Sequence, residues 1–68
     1  MVMLTPELIC DLRKALGLTA EAFGERLGVT GNTVFRWESG ERHPKYEMQI
    51  RLNKLLGEAE KLGVLVLA

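Results

Sequence analysis

Asn32, Phe35, Arg36 and Ser39 are spaced so that one turn of helix would carry all four on the same side, with Val34 and Trp37 on the other. At about 100° of rotation per residue, burying Val34 and Trp37 leaves the first set facing outward. Their chemistry suits base-pair edges in a DNA major groove. The Asn32 amide can both donate to and accept from an adenine, the Arg36 fork can donate twice to a guanine, and the Phe35 ring can touch a thymine methyl. Each well-formed bidentate pair gives about 1 to 3 kcal/mol of discrimination against the wrong base. Taken singly, an asparagine or arginine on a helix is an ordinary solvated residue. The shared face and the short turn before it favour base reading for Asn32 and Arg36. For Phe35 two readings stand: an outward contact, or a core residue tucked against the preceding helix by a slight rotation. Past this segment, Arg42, His43 and Lys45 make a basic exit loop around Pro44. His43 either donates to a phosphate or caps the loop.

The elements that would position these residues are announced by a pattern that recurs three times. An apolar residue precedes a threonine, and another comes four positions later: Leu4-Thr5 with Ile9, Leu18-Thr19 with Phe23, Val29-Thr30 with Val34. A threonine N-cap satisfies first-turn amides, while the flanking apolar pair clamps the chain as a hydrophobic staple. Three helices are therefore predicted. The first runs from Pro6 to Leu16, stops at Gly17 and buries Leu8, Ile9, Leu12 and Leu16. Proline at its first position loses no hydrogen bond, and Glu7 complements the positive end of the dipole. The second spans about Ala20 to Leu27, with Gly28 ending it in the left-handed conformation. The third spans Gly31 to Ser39. A fourth starts near Lys45 and keeps a helical period through Met48, Leu52, Leu55 or Leu56, Ala59 and Leu62, weakened at Gly57 and stopped at Gly63. Val64 to Leu67 has the composition of a short strand, with no partner strand visible in the chain.

Length bounds the rest. A chain of 68 residues is read as one small domain whose core supplies only a few kcal/mol of net stability, which dimerisation would supplement. Its 47% hydrophobic and 26% charged residues are those of a folding chain. Nine basic and nine acidic residues cancel, but their placement is uneven. Arg36, Arg42, Lys45, Arg51 and Lys54 stand against Glu38, Glu41 and Glu47, so positive charge leans toward the third helix and the segment after it. Cys10 is the only cysteine and His43 the only histidine, which leaves no internal disulfide and no ordinary zinc cluster. Cys10 is expected to be a small half-buried thiol. No metal, no cofactor and no catalytic set is expected, and no export signal or membrane span is read in the chain. The expected location is the cytoplasm, on the nucleoid.

From Leu18-Thr19-Ala20-Glu21-Ala22-Phe23-Gly24-Glu25-Arg26-Leu27-Gly28-Val29-Thr30 through Val34-Phe35-Arg36-Trp37-Glu38-Ser39-Gly40-Glu41-Arg42 and Pro44, the chain resembles the Cro and phage-repressor helix-turn-helix family. That family is also called the xenobiotic-response-element type. The resemblance covers about residues 8 to 56. It implies an all-α, four- to five-helix, lambda-repressor-like domain with a helix-turn-helix unit at about 19–39; the C-terminal region, 45–68, is expected to serve dimerisation. By the same resemblance Asn32, Thr33 and Arg36, with Phe35 beside them, fall on base-contacting positions. Thr19, Ser39, Arg42 and Lys45 fall on or beside backbone-contacting ones, and Thr30 and His43 are expected to join them. Arg13 matches an arginine that pairs with the acid at Glu38 in relatives. Three positions depart from the pattern: Ala20 replaces a phosphate-binding glutamine, Gly24 a small alanine, and Gly31 the first base reader.

Members of that family are typically repressors that bind inverted repeats as homodimers, and they include antitoxins. The function expected here is a sequence-specific transcriptional regulator, a repressor on double-stranded DNA, working through helix 31–39 as a homodimer. Its predicted dimer interface is Leu62, Val64, Leu65, Val66 and Leu67, with Met1 to Leu4 as a candidate addition. A second reading, motivated by the neutral charge and the apolar C-terminus, is a module that binds a toxin or another regulatory protein, with DNA secondary.

Overall fold

Every threonine predicted to open a helix does so. Thr5 Oγ1 accepts from the Leu8 amide at 3.1 Å, Thr19 Oγ1 from Ala22 at 3.1 Å and Thr30 Oγ1 from Thr33 at 3.2 Å. In the computed structural model, which describes residues 2–65, these caps begin α1 (Pro6–Ala15), α2 (Ala20–Leu27) and α3 (Gly31–Ser39). The fourth helix, α4 (Tyr46–Lys61), comes after Lys45, which provides no side-chain cap. It starts one residue after the predicted position. The first helix ends one residue earlier than predicted, at Ala15, because the amides of Gly17 and Leu18 turn back onto the carbonyls of Lys14 and Arg13. That paired closure satisfies carbonyls that another helical turn would otherwise have occupied.

The inward faces meet in one core. Ile9, Leu12, Phe23, Leu27, Val34 and Leu52 are fully buried, with Trp37, Leu55, Leu56 and Ala59 beside them. Fully burying such side chains contributes about 1.5 to 3 kcal/mol each before chain entropy is subtracted. Helix α3 packs mainly on α2 and also on α1, while α4 closes the opposite side against α1 and α2. The α2–α3 turn is made by Gly28 at φ 79°, whose neighbour Val29 donates its amide to the Gly24 carbonyl at 2.9 Å.

Polar groups of α4 finish the fold in ways that periodicity does not announce. Gln49 is buried and its Oε1 accepts the Leu4 amide at 3.2 Å. Asn53 both accepts from the Val2 amide at 2.9 Å and donates to the Val2 carbonyl at 2.8 Å, as a neighbouring strand would. Arg51 Nη1 donates to the Leu27 carbonyl at 2.8 Å, closing the C-terminal end of α2.

At the other end, α4 runs through Gly57 to Lys61, and Leu65 returns to pack on the core. Among the described residues there is no strand, so the strand reading of Val64 and Leu65 is corrected: the chain bends where the apolar core captures Leu65. Val66 and Leu67 lie outside the described residues. Among the described residues no helix is long and apolar enough to cross a membrane.

Two glycines inside helices should respond to substitution with opposite signs. A Cβ on Gly24 would sit 2.5 Å from the Val29 carbonyl oxygen, whereas one on Gly57 would meet nothing within 4 Å. Gly24→Val is expected to lower stability by about 2 kcal/mol through forced separation of α2 from the turn. Gly57→Ala should raise it by about 1 kcal/mol through helix propensity. Urea unfolding midpoints of the two variants check the pair.

Candidate nucleic-acid interface

Helix α3 is held by its buried side. Gly31, Val34 and Trp37 are buried, and Asn32, Phe35, Arg36 and Ser39 lie on the other side, with Asn32, Phe35 and Arg36 exposed. The outward set is therefore the one predicted. Phe35 is 54% exposed, which rejects the alternative that it tucks into the core; the sites against α2 are already filled by Val34 and Trp37. Thr33 is half-buried, its hydroxyl 3.1 Å from that of Thr30, so the cap and its neighbour share one hydrogen-bonded corner.

The departures at Gly31 and Ala20 have a structural basis. A Cβ on Gly31 would lie 3.1 Å from the Glu21 amide nitrogen and 3.2 Å from Glu21 Cγ. The first turn of α3 comes so close to that of α2 that any side chain there would have to push Glu21 aside by a few tenths of an ångström. Ala20 is buried and fills the core.

Around this helix stand groups able to meet a sugar-phosphate backbone. Thr19 is exposed at the start of α2; while its oxygen caps Ala22, its hydroxyl proton stays available to an anion. Beyond α3, Ser39 Oγ donates to the Arg36 carbonyl at 3.1 Å and accepts from the Glu41 amide at 3.4 Å. The Arg42 amide returns to the Arg36 carbonyl at 3.2 Å. These bonds fold the exit loop back along the helix. Pro44 anchors the loop by burial, leaving Arg42, His43 and Lys45 exposed. A groove of about 260 Å³ runs beside them, with Trp37 and Met48 among its lining residues and Arg42, His43 and Lys45 along it.

One ion pair braces the assembly from behind. Arg13 Nε meets Glu38 Oε2 at 2.7 Å and Nη2 meets Oε1 at 3.1 Å, while Nη1 donates to the Leu18 carbonyl at 3.1 Å. Both side chains are largely shielded, 16% and 11% exposed. Hydrogen bonding to Glu38 holds the guanidinium charged and raises its pKa above the ordinary value, against the opposing effect of burial. The single contact thus joins α1, the α1–α2 loop and the last turn of α3.

A capped helix, a glycine turn and a second capped helix with an outward polar row make a helix-turn-helix. A helix-turn-helix family model matches residues 11–62. The chain belongs to the Cro/phage-repressor type of helix-turn-helix family. An uncharacterized helix-turn-helix-type transcriptional regulator of Methanothermobacter thermautotrophicus is 37% identical over 60 residues, which cover 88% of this chain and 87% of that protein. No solved structure gives a significant match.

Within this helix-turn-helix frame the residues predicted to join two copies fall into three groups. Leu62 and Val64 are exposed, at 70% and 48%, Leu65 is half-buried on its own core, and Val66 and Leu67 lie outside the described residues. Sequence reasoning missed Glu41, whose Oε2 lies 3.5 Å from Arg36 Nε. The two are five residues apart across Gly40, a separation to which neither helix nor strand periodicity gives meaning.

Breaking the brace should be felt in stability first. Glu38→Ala leaves a shielded guanidinium without its partner and is expected to cost about 2 kcal/mol, between the values typical of exposed and buried pairs. Because the Arg13 pKa is raised on folding, its contribution is complete below the unfolded value and is lost only as pH rises through the higher folded one. That window lies in the strongly alkaline range. In a Cys10→Ala background, which removes the neighbouring thiol, the difference in unfolding free energy made by Arg13→Met should accordingly stay constant from pH 7 to about pH 10. Urea titrations across that interval test it.

Proposed function

We propose that this chain is a sequence-specific DNA-binding transcriptional regulator, a repressor that binds an inverted-repeat operator as a homodimer with α3 in the major groove. The observation that carries the reading is the outward row of Asn32, Phe35 and Arg36 on a helix whose opposite face is fixed in the core. Asn32 and Arg36 read bases, with Phe35 and Thr33 beside them. Thr19, Thr30, Ser39, Arg42, His43 and Lys45 face the flanking backbone. Such contacts position the helix without specifying sequence, and base contacts then discriminate. The relative described as a transcriptional regulator supports the same role. Repression results from occupancy, since a bound dimer excludes other proteins from its site. The reading needs no cofactor and no catalysis, and it places the protein in the cytoplasm on the nucleoid.

Exposed Leu62 and Val64, just beyond α4, support a second copy there. A symmetric dimer would place two recognition helices on half-sites roughly 34 Å apart, one turn of DNA. The zero net charge favours a second reading, a module whose main partner is another protein such as a toxin, because a neutral chain gains less from counterion release than a basic one.

Selection of bound sites from a random duplex pool should return a two-fold symmetric sequence with half-sites one helical turn apart. Arg36→Ala should then weaken binding to that sequence by about 10- to 100-fold and relax the preference at one guanine per half-site. If neither affinity nor preference changes in Arg36→Ala, α3 is not the reading element. Failure to enrich any duplex, with a stable complex formed on a protein partner instead, would favour the second reading. Leu62→Glu with Val64→Glu is expected to lower the dimer fraction in sedimentation equilibrium and the operator affinity together.

A further inference from the structure

The ion pair between Arg36 and Glu41 lies on the outward face, and the backbone around it fixes where Glu41 stands. Gly40, at φ 81°, turns the chain sharply after α3, the Glu41 amide donates to Ser39 Oγ at 3.4 Å, and the Arg42 amide donates to the Arg36 carbonyl at 3.2 Å. The turn thereby returns an acidic residue to the side chain it has just passed. Glu41 Oε2 approaches Arg36 at Nε, 3.5 Å away, with the Arg36 and Glu41 side chains 47% and 68% exposed. Contact at Nε leaves Nη1 and Nη2 as donors, and two donors are what a guanine edge requires.

We infer that Glu41 is a specificity-determining residue: its carboxylate, in charge contact with Arg36 on the Nε side, biases the guanidinium toward a guanine and penalises the use of Arg36 as a general phosphate ligand. This inference rests on the proposed function, in which Arg36 reads a base. At a cognate guanine the terminal nitrogens bind O6 and N7 while Nε keeps its carboxylate partner. On unrelated DNA the same guanidinium can gain only by swinging to a phosphate, which breaks the pair and exposes an uncompensated carboxylate to the strand. Glu41 therefore weakens binding to unrelated DNA more than binding to the operator. Specificity is that difference, and a repulsive group contributes to it as much as an attractive one. Arg42, His43 and Lys45 stand exposed in the same loop and serve as sequence-independent contacts.

The experiment compares the parent chain, Glu41→Gln, Arg36→Ala and the double variant by fluorescence anisotropy. The probes are the duplex selected from the random pool and a scrambled duplex of equal length, each over a salt series. Glu41 is exposed, so Glu41→Gln should keep the parent thermal midpoint. The ratio of operator to scrambled affinity should fall by about 1.5- to fivefold in Glu41→Gln, the range expected of an exposed ion pair. The fall should come mainly from tighter binding to the scrambled duplex. There the logarithmic salt slope should steepen by about 0.9, one additional phosphate contact. In the Arg36→Ala background the same substitution should move neither the ratio nor the slope. Equal tightening on both duplexes, with or without Arg36, would show Glu41 to be a general negative charge and overturn the inference alone. No effect of Arg36→Ala on either duplex would overturn the reading of α3 and this inference with it.

Discussion

The constraint on which the structure most depends is the close approach of α3 to α2. It is set at two points where a side chain is absent. At Gly24 the Val29 carbonyl would lie 2.5 Å from a Cβ, and at Gly31 the first turn of α2 would come within 3.1 Å of one. A short turn between two capped helices admits only a narrow range of crossing geometries, and these contacts select one of them. The consequence is carried outward. With Gly31, Val34 and Trp37 pressed inward, the direction of Asn32, Phe35 and Arg36 is decided by rotation about the helix axis and by little else. The interface is thus a by-product of packing, and its precision is that of the core.

At the far end of α3 the buried Trp37 is joined by the Arg13–Glu38 pair. A lysine at position 13 would supply charge without the planar fork that engages both carboxylate oxygens while a third nitrogen holds the Leu18 carbonyl. A partly shielded pair of this kind contributes modestly to stability and more to uniqueness of arrangement, because its geometry is satisfied in one relative placement of α1 and α3. The N-terminal segment, tied through Gln49 and Asn53, does for α1 and α4 what this pair does for α1 and α3.

Much of this was legible in the residues because it is local. The three threonine caps, the staples and the glycine turn act within five residues, and each gives a periodic or positional signal. The outward row on α3 came from the same periodicity, and so did the burial of Trp37. What escaped the sequence involves groups far apart in the chain or joined by a turn. Gln49 looks like any polar residue on a helix until the Leu4 amide, 45 residues away, is seen to need an acceptor. Arg51 resembles a surface cation until it is found on the Leu27 carbonyl, and Glu41 needed the conformation of Gly40 to reach Arg36. The reading of Val64 and Leu65 as strand failed for a related reason. Composition reports what could pair in a sheet, not that a nearby core already has a place for Leu65.

Net neutrality, which at first weighs against a nucleic-acid role, is better understood residue by residue. Affinity for any duplex grows with the number of phosphates neutralised, and specificity grows only with what distinguishes one sequence from another. Of the acids near α3, Glu38 is paired with Arg13 and largely shielded, while Glu41 stays exposed beside Arg36. In the proposed function the exposed cations Arg42 and Lys45 serve the DNA backbone. A chain arranged in this way gives up general attraction and keeps directed contacts. One copy would hold DNA weakly, and two copies sharing a symmetric site add their base contacts while the pairing of subunits limits the entropy lost in binding. Under the proposed function a neutral recognition domain has more to gain from dimerisation than a basic one, and the exposed Leu62 and Val64 offer apolar surface for it.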